Sequence, residues 1–200
     1  LVKTWEDLVS LFEALPGQVW AYELLKQDPD FLPAGDMSSF SLSRTTPHAL
    51  TINVSLSSDF DTYWNSRSRN LIKNMRRYER RVIDSFGAPK LTIISESDLL
   101  QSAVARYGDI ESKGWKGVQG TAIHATNVQG RFYEEVFRAY GMTNQATVYE
   151  YWFGDMLAAS RLVIHTSEMA IILKTAYDES LSQFAPGRLL LKAVLEHMFD

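Results

Sequence analysis

Three runs with a period of two follow one another between residues 147 and 177: "TVYEYWF", "MLAASRLVIH" and "EMAIILKTAY". They are joined only by Gly154-Asp155 and by a Thr-Ser-Glu link. A parallel crossover needs about a dozen residues or more, so links this short leave an antiparallel meander as the expected arrangement. A helical pattern opens soon after, at Pro186-Gly187. With helical periods upstream as well, the expected fold class is α+β (mixed α/β), with helices crossing onto a sheet.

The upstream pattern supplies those helices. In "TWEDLVSLFEALPG", Thr4 and Asp7 form a Thr-x-x-Asp start, Leu8, Leu11, Phe12 and Leu15 share a face, and Pro16-Gly17 ends it. A loop is expected from 28 to 50, then a strand in "ALTINVSL", where Leu50, Ile52, Val54 and Leu56 point one way. In "DFDTYWNSRSRNLIKNMRRYERRVIDSFG", Leu71, Met75, Tyr78 and Val82 lie at helical spacing and Gly87 closes the helix. "PKLTIISE" reads as a short strand. A helix then starts near a Ser97 cap and turns Leu100, Ala103, Val104, Tyr107 and Ile110 inward. Another carries Tyr133, Val136, Phe137 and Tyr140 on one side and ends at Gly141.

Composition narrows the chemistry. None of the 200 residues is cysteine, which excludes a disulfide framework, a thiolate metal site and a cysteine nucleophile. A net charge of −4 argues against a general nucleic-acid binder. His48, His124, His165 and His197 are scattered with no metal-ligand spacing, so no metal is expected. His165 alone sits where a strand end can offer a base. No run approaches roughly eighteen apolar residues and no signal-peptide pattern opens the chain, so a cytoplasmic location is expected. A first residue other than Met and an ending in mid-helix suggest an excerpt of a longer protein.

Pro186-Gly187 invites a chemical reading. Proline suits the first helical position because its missing N–H has no partner there, and glycine admits a ligand close to the backbone. Free N–H groups on Gly187, Arg188 and Leu189 at the positive end of the helix dipole would receive an anion, with the Arg188 charge beside them. Pro-Gly is also ordinary helix-start punctuation.

"KTAYDESLSQFAPGRLLL" resembles the signature that closes the catalytic half of the Fem/CelD-like branch of the GNAT acyltransferase superfamily. "SRSRNLIKNMRRYERRVIDSFG" is similar to that branch's basic helix, and "IESKGWKGVQGTAI" to its Glu-x-x-x-Trp-Lys-Gly-x-x-Gly-Thr-Ala element. The three lie in order and span about residues 60 to 195. The resemblance implies a GNAT-like fold in a tandem arrangement. Residues 1–88 would be the remainder of a first half plus the basic linking helix, and 89–200 a catalytic half truncated at its C-terminus. It implies an acyl-CoA donor with its pyrophosphate on the turn at Pro186, Gly187, Arg188 and Leu189. One glycine stands where better-known GNAT turns are glycine-rich, which leaves another acyl carrier open. The implied work is N- or O-acylation in cell-envelope or exopolysaccharide biosynthesis, on an amino sugar or glycan. The alternatives are a Fem-type ligase using aminoacyl-tRNA, and a GNAT-shaped domain that only binds.

Acyl transfer from a thioester requires a base for the acceptor, a stabiliser for the oxyanion and an acid for the thiolate. Glu111 is the first base candidate, on the apolar edge of its helix with an expected raised pKa; pairing with Lys113 or Lys116, or capping its helix, is the bland alternative. Trp115 and Lys116 sit at a break in the helical pattern and either wall the acceptor pocket or, for Trp115, plug the core. Lys174 can neutralise the oxyanion, Tyr177 can protonate the thiolate, and Asp178 orients one of them or starts a turn. Arg67, Arg69, Lys73, Arg76, Arg77, Arg80 and Arg81 concentrate positive charge on one helix. Such a field suits coenzyme phosphates, an acidic carrier protein, an anionic glycan or a membrane surface, or is a solvated face.

Overall fold

The three period-two runs pair as expected. In the computed structural model, which describes residues 4–20, 23, 44, 46, 52–120, 122–124 and 127–199, they form β2 (Ala146–Phe153), β3 (Met156–His165) and β4 (Ala170–Tyr177). β1 (Lys90–Ile94) joins at the outer edge, giving a four-stranded antiparallel sheet in the order β1-β2-β3-β4.

The chain divides into two units, Leu1–Val54 and Ser55–Asp200. In the first, α1 (Trp5–Ala14) starts at a complete capping box between Thr4 and Asp7 and buries Trp5 and Leu8. The strand expected over 49–56 does not form at residues 52–56. No backbone partner reaches them among the described residues, and Ile52 is 88% exposed. Leu50, Thr51 and nearly all of the expected 28–50 loop lie outside the described residues.

The second unit has three layers. On one face of the sheet, α4 (Ser97–Lys113) and α6 (Val128–Gly141) cover Ile94, Val148, Leu162 and Ala176 with Leu100, Val104, Tyr107 and Phe137. On the other face, α3 (Arg69–Phe86) and α7 (Pro186–Phe199) bring Met75, Val82, Leu189, Leu190 and Val194 onto Tyr149, Tyr151, Phe153 and Val163. Phe137 and Phe153 are fully buried, a location where truncation to alanine costs about 3–5 kcal/mol.

Local chemistry sets several boundaries. The single basic helix expected from sequence breaks in two, α2 (Phe60–Asn65) and α3, because Ser68 caps the second by accepting from the Leu71 N–H. Ser97 is not a cap. Glu96 holds that position and makes no side-chain capping bond. Tyr140 is 38% exposed rather than inward. The loop after β4 is a 3-10 helix, Glu179–Phe184, capped by Asp178, whose Oδ1 accepts from Ser180 N and Oγ at 2.9 and 2.6 Å.

A register shift between Leu162 and Val163 leaves Leu173 as an extra residue in β4. It sets Lys174 opposite Leu162, whose side chain belongs to the layer beneath α4, and Thr175 opposite Arg161. Bulges of this kind re-aim side chains. Arg161 is 5% exposed; its Nε donates to Thr175 Oγ1 at 2.9 Å, and burial pulls its guanidinium down to about 10. Its Nη1 and the Ser160 hydroxyl have no partner among the described residues. The buried Glu150 is better matched, accepting from Arg106 Nε at 2.7 Å.

Candidate active site

The end of α4 carries one buried carboxylate with four donors around it. Glu111 is only 4% exposed. Its Oε1 accepts from Lys116 Nζ at 2.6 Å and from the Tyr107 hydroxyl at 3.1 Å, with Lys174 Nζ 3.6 Å away. Its Oε2 accepts from the Ile123 N–H at 2.7 Å. That last bond depends on Gly108, where an added Cβ would lie 2.7 Å from the Ile123 carbonyl oxygen and force the segment away. Three elements therefore converge on one carboxylate: α4, the corner at α5 (Trp115–Val118), and β4.

The electrostatics overturn one expectation. Burial does push the Glu111 carboxyl up, as its position on the apolar edge suggested. The Ile123 N–H, the Lys116 hydrogen bond and the charges of Lys174 and Lys116 outweigh burial and hold it below the usual carboxylate range. Glu111 is thus held ionised by its donors, without the raised pKa expected from its position on the apolar edge. Burial and the Glu111 charge push the Tyr107 and Tyr133 phenols up, so both stay neutral. Lys174 Nζ also lies 5.4 Å from the centre of the Tyr133 ring, a cation–π distance.

Beside this cluster opens a small cleft of ≈ 50 Å³ whose walls include Glu111, Trp115, Lys116, Tyr177 and Glu179. Trp115 is 57% exposed, so it walls the cleft and does not plug the core. Tyr177 is 44% exposed. Glu179 was missed in sequence, although it follows Asp178 directly. Its Oε1 accepts from the Trp115 N–H at 3.1 Å, and its Oε2 has no partner among the described residues. An added Cβ on Gly114 would come within 2.7 Å of that Oε1, so glycine there lets the clasp close.

The turn into α7 lies next to the same cleft, since a Cβ on Gly187 would touch the Tyr177 ring at 3.4 Å. Ala185 precedes it with φ +52°, a left-handed conformation that costs a non-glycine residue about 1–2 kcal/mol. The carbonyl of Ala185 accepts from both Arg188 N and Leu189 N, at 3.0 and 3.1 Å. Of the three N–H groups expected to be free, only that of Gly187 lacks a backbone partner among the described residues. Pro186 is buried, Leu189 packs in the core at 1% exposure, and Arg188 faces solvent.

Other candidates lie elsewhere. His165 Nε2 meets Thr147 Oγ1 at 2.9 Å outside the cleft, and burial followed by the nearby His197 pulls its imidazole down. His48 is outside the described residues. Among the described residues no three metal-ligating side chains converge, and no helix is long and apolar enough to cross a membrane.

A model of the acetyltransferase (GNAT) domain family matches residues 68–200. No curated protein and no solved structure gives a significant match.

Proposed function

The chain belongs to the acetyltransferase (GNAT) domain family, whose activity is acyl transfer with acyl-CoA as the usual donor, and from that premise we propose a specific use of the cleft. An amine or hydroxyl acceptor enters between Trp115 and Tyr177 and attacks a thioester carbonyl. The new C–N or C–O bond forms, the C–S bond breaks, and the acceptor's proton passes to a carboxylate while the thiolate takes one from a phenol. The observation that carries this reading is the two ammonium groups of Lys116 and Lys174 gathered on one buried carboxylate at the cleft.

Each residue has a role in the proposal. Lys174 and Lys116 stabilise charge on the oxyanion and orient the acceptor, and Glu111 positions both. Tyr177 protonates the leaving thiolate. The open Oε2 of Glu179 receives the proton of the attached acceptor. An amine becomes strongly acidic once bonded to the carbonyl carbon, so its proton can pass to a carboxylate. Gly187 N–H and Arg188 hold a donor phosphate on the turn that Pro186 begins and Leu189 anchors in the core. Asp178 shapes that loop by capping it. The motif resemblance supports placing the chain in the Fem/CelD-like branch, in a tandem arrangement with residues 1–88 as the remainder of a first half plus the basic linking helix. It also supports a glycan or amino-sugar acceptor of the cell envelope or an exopolysaccharide.

Thermal stabilisation tests the donor site. Acetyl-CoA at a hundred times its dissociation constant should add about 2.7 kcal/mol, or roughly 5–10 °C in Tm for a chain of this size. Arg188→Glu should abolish the rise, and an undiminished rise would remove the phosphate from this turn. Glu179 is tested by a pair of variants. Glu179→Gln keeps an oxygen on the Trp115 N–H but cannot take a proton, so kcat should fall about a hundredfold with KM retained. Glu179→Ala should lose the clasp too and raise KM. Full turnover in Glu179→Gln would leave Glu179 as a clasp alone.

A further inference from the structure

We infer that the outward face of α3 docks a small acidic carrier protein, which presents its acyl thioester on a phosphopantetheine arm to the turn at Gly187. The inference rests on the donor reading above and names the donor's carrier.

Arg69, Lys73, Arg76, Arg77, Arg80 and Arg81 are all exposed. At 3.6 residues per turn they fall within an arc of about 140°, opposite the row of Leu71, Met75, Tyr78 and Val82 that faces the core. None of the six is ion-paired among the described residues. Of the two acids on α3, Glu79 turns aside to Lys192 at 2.6 Å, leaving Asp84 alone among the cations. Arg76 and Arg80, like Arg77 and Arg81, repel each other at i,i+4 spacing. In a chain of net charge −4, this is a local field that an external anion would relieve.

The direction of α3 connects that field to the donor turn. Phe86 at its end packs on Phe184, just before the turn, with ring centres 5.2 Å apart. Further back, Glu79 meets Lys192 of α7. The two helices therefore run antiparallel side by side, and the basic stripe extends away from the turn for about 18 Å along the helix. A coenzyme A held at the turn would occupy one end of the stripe. An acidic helix of a carrier protein would occupy its length.

The turn itself suits a single phosphodiester, with one backbone N–H that has no partner among the described residues and one arginine. A nucleic acid fits less well. Neither aromatic residue of α3, Tyr78 or Phe86, is fully exposed for base stacking, and the acidic remainder would repel a polyanion lying across it. A membrane is also disfavoured, since Ile83 is the one large apolar side chain that α3 exposes.

The test titrates the protein with a purified acidic acyl carrier protein in apo, holo and acetylated forms, and separately with acetyl-CoA. The charge-reversed variant is Lys73→Glu with Arg76→Glu, about 15–20 Å along α3 from the turn and beyond the reach of a phosphate held there. The holo and acetylated carriers should bind at least about tenfold tighter than acetyl-CoA, and weaken at least about tenfold in the variant and at raised salt. Stabilisation by acetyl-CoA should be the same in both proteins. Carrier binding that ignores the charge reversal overturns the inference, as does a preference for transfer RNA or anionic vesicles over the carrier. If acetyl-CoA stabilises the protein and the carrier does not bind, the docking surface fails and the donor site stands. If neither binds, the donor site fails and the docking surface falls with it.

Discussion

Glu111→Ala should lower the melting temperature by roughly 6–20 °C and reduce acyl transfer at least about a hundredfold. Removing one member of a buried ionic cluster costs about 3–5 kcal/mol, because the remaining charges are left uncompensated. A chain of this size loses about 2–4 °C per kcal/mol. Here the alanine would leave Lys116 and Lys174 facing each other, and the Ile123 N–H without its acceptor. Glu111→Gln separates the two parts of that loss, since its one carbonyl oxygen can still accept from the Ile123 N–H, with its NH2 donating to the Tyr107 oxygen, while it no longer neutralises the lysines. The pH dependence carries a definite sign. The folded-state pKa of Glu111 lies below its ordinary value of 4.5, so the unfolded chain binds more protons between the two values. The stabilisation is therefore complete above about pH 4.5 and lost as pH falls through the folded value. Melting curves of the protein and of Glu111→Gln should be separated at neutral pH and converge in acid. A separation that persists unchanged in acid would mean that the carboxylate's charge is not what stabilises the cluster.

Lys174→Met should lower kcat by about a hundred- to a thousandfold with the fold intact, as loss of one oxyanion donor does elsewhere. The methionine stem can still cover the Tyr133 ring, which keeps the structural part of the side chain. A second readout separates catalysis from packing. The Lys174 charge is one cause that holds the Glu111 carboxyl down, so the Glu111 carboxyl resonance should titrate at higher pH in the variant. Unchanged turnover would remove Lys174 from the mechanism. Tyr177→Phe should act through the leaving group alone. Its effect should be large for alkyl thioesters, whose thiolates need a proton, and small for aryl thioesters, whose thiolates leave unaided. An equal loss on both would assign Tyr177 to binding.

Much of this architecture is legible in residue order. The meander needed only short links between period-two runs, and α3 and α4 needed apolar residues spaced to fill one face. Met75 and Val82, and Leu100, Ala103, Val104, Tyr107 and Ile110, are all buried as that spacing requires. The strand expected at 49–56 failed at residues 52–56 because alternation describes a half-buried surface without supplying a partner strand. The break before α3 was also hidden, since a capping serine within an otherwise helical pattern is a weak local signal.

The site divides along the same line. Its residue types were readable: the carboxylate at Glu111, the Trp115-Lys116 corner, Lys174 and Tyr177 at a strand end, and a proline-led helix after them. Their chemistry was not. The Glu111 pKa is lowered and not raised because donors distant in sequence, Ile123 and Lys174, reach it and outweigh its burial. Likewise, the extra residue at Leu173 decides that Lys174 shares the α4 side of the sheet, and Glu179 becomes part of the cleft only by accepting from Trp115, 64 residues away. Sequence by itself determined the meander, most of the helices and most of their apolar faces, because these follow from periodicities of two and 3.6 between near neighbours. Apart from the Glu111–Lys116 pair, which sequence spacing already offered, which charges meet, how many N–H groups stay open and where the cleft lies were decided by the tertiary structure. Coulomb energies and hydrogen bonds depend on distances across the fold, and no spacing along the chain encodes them.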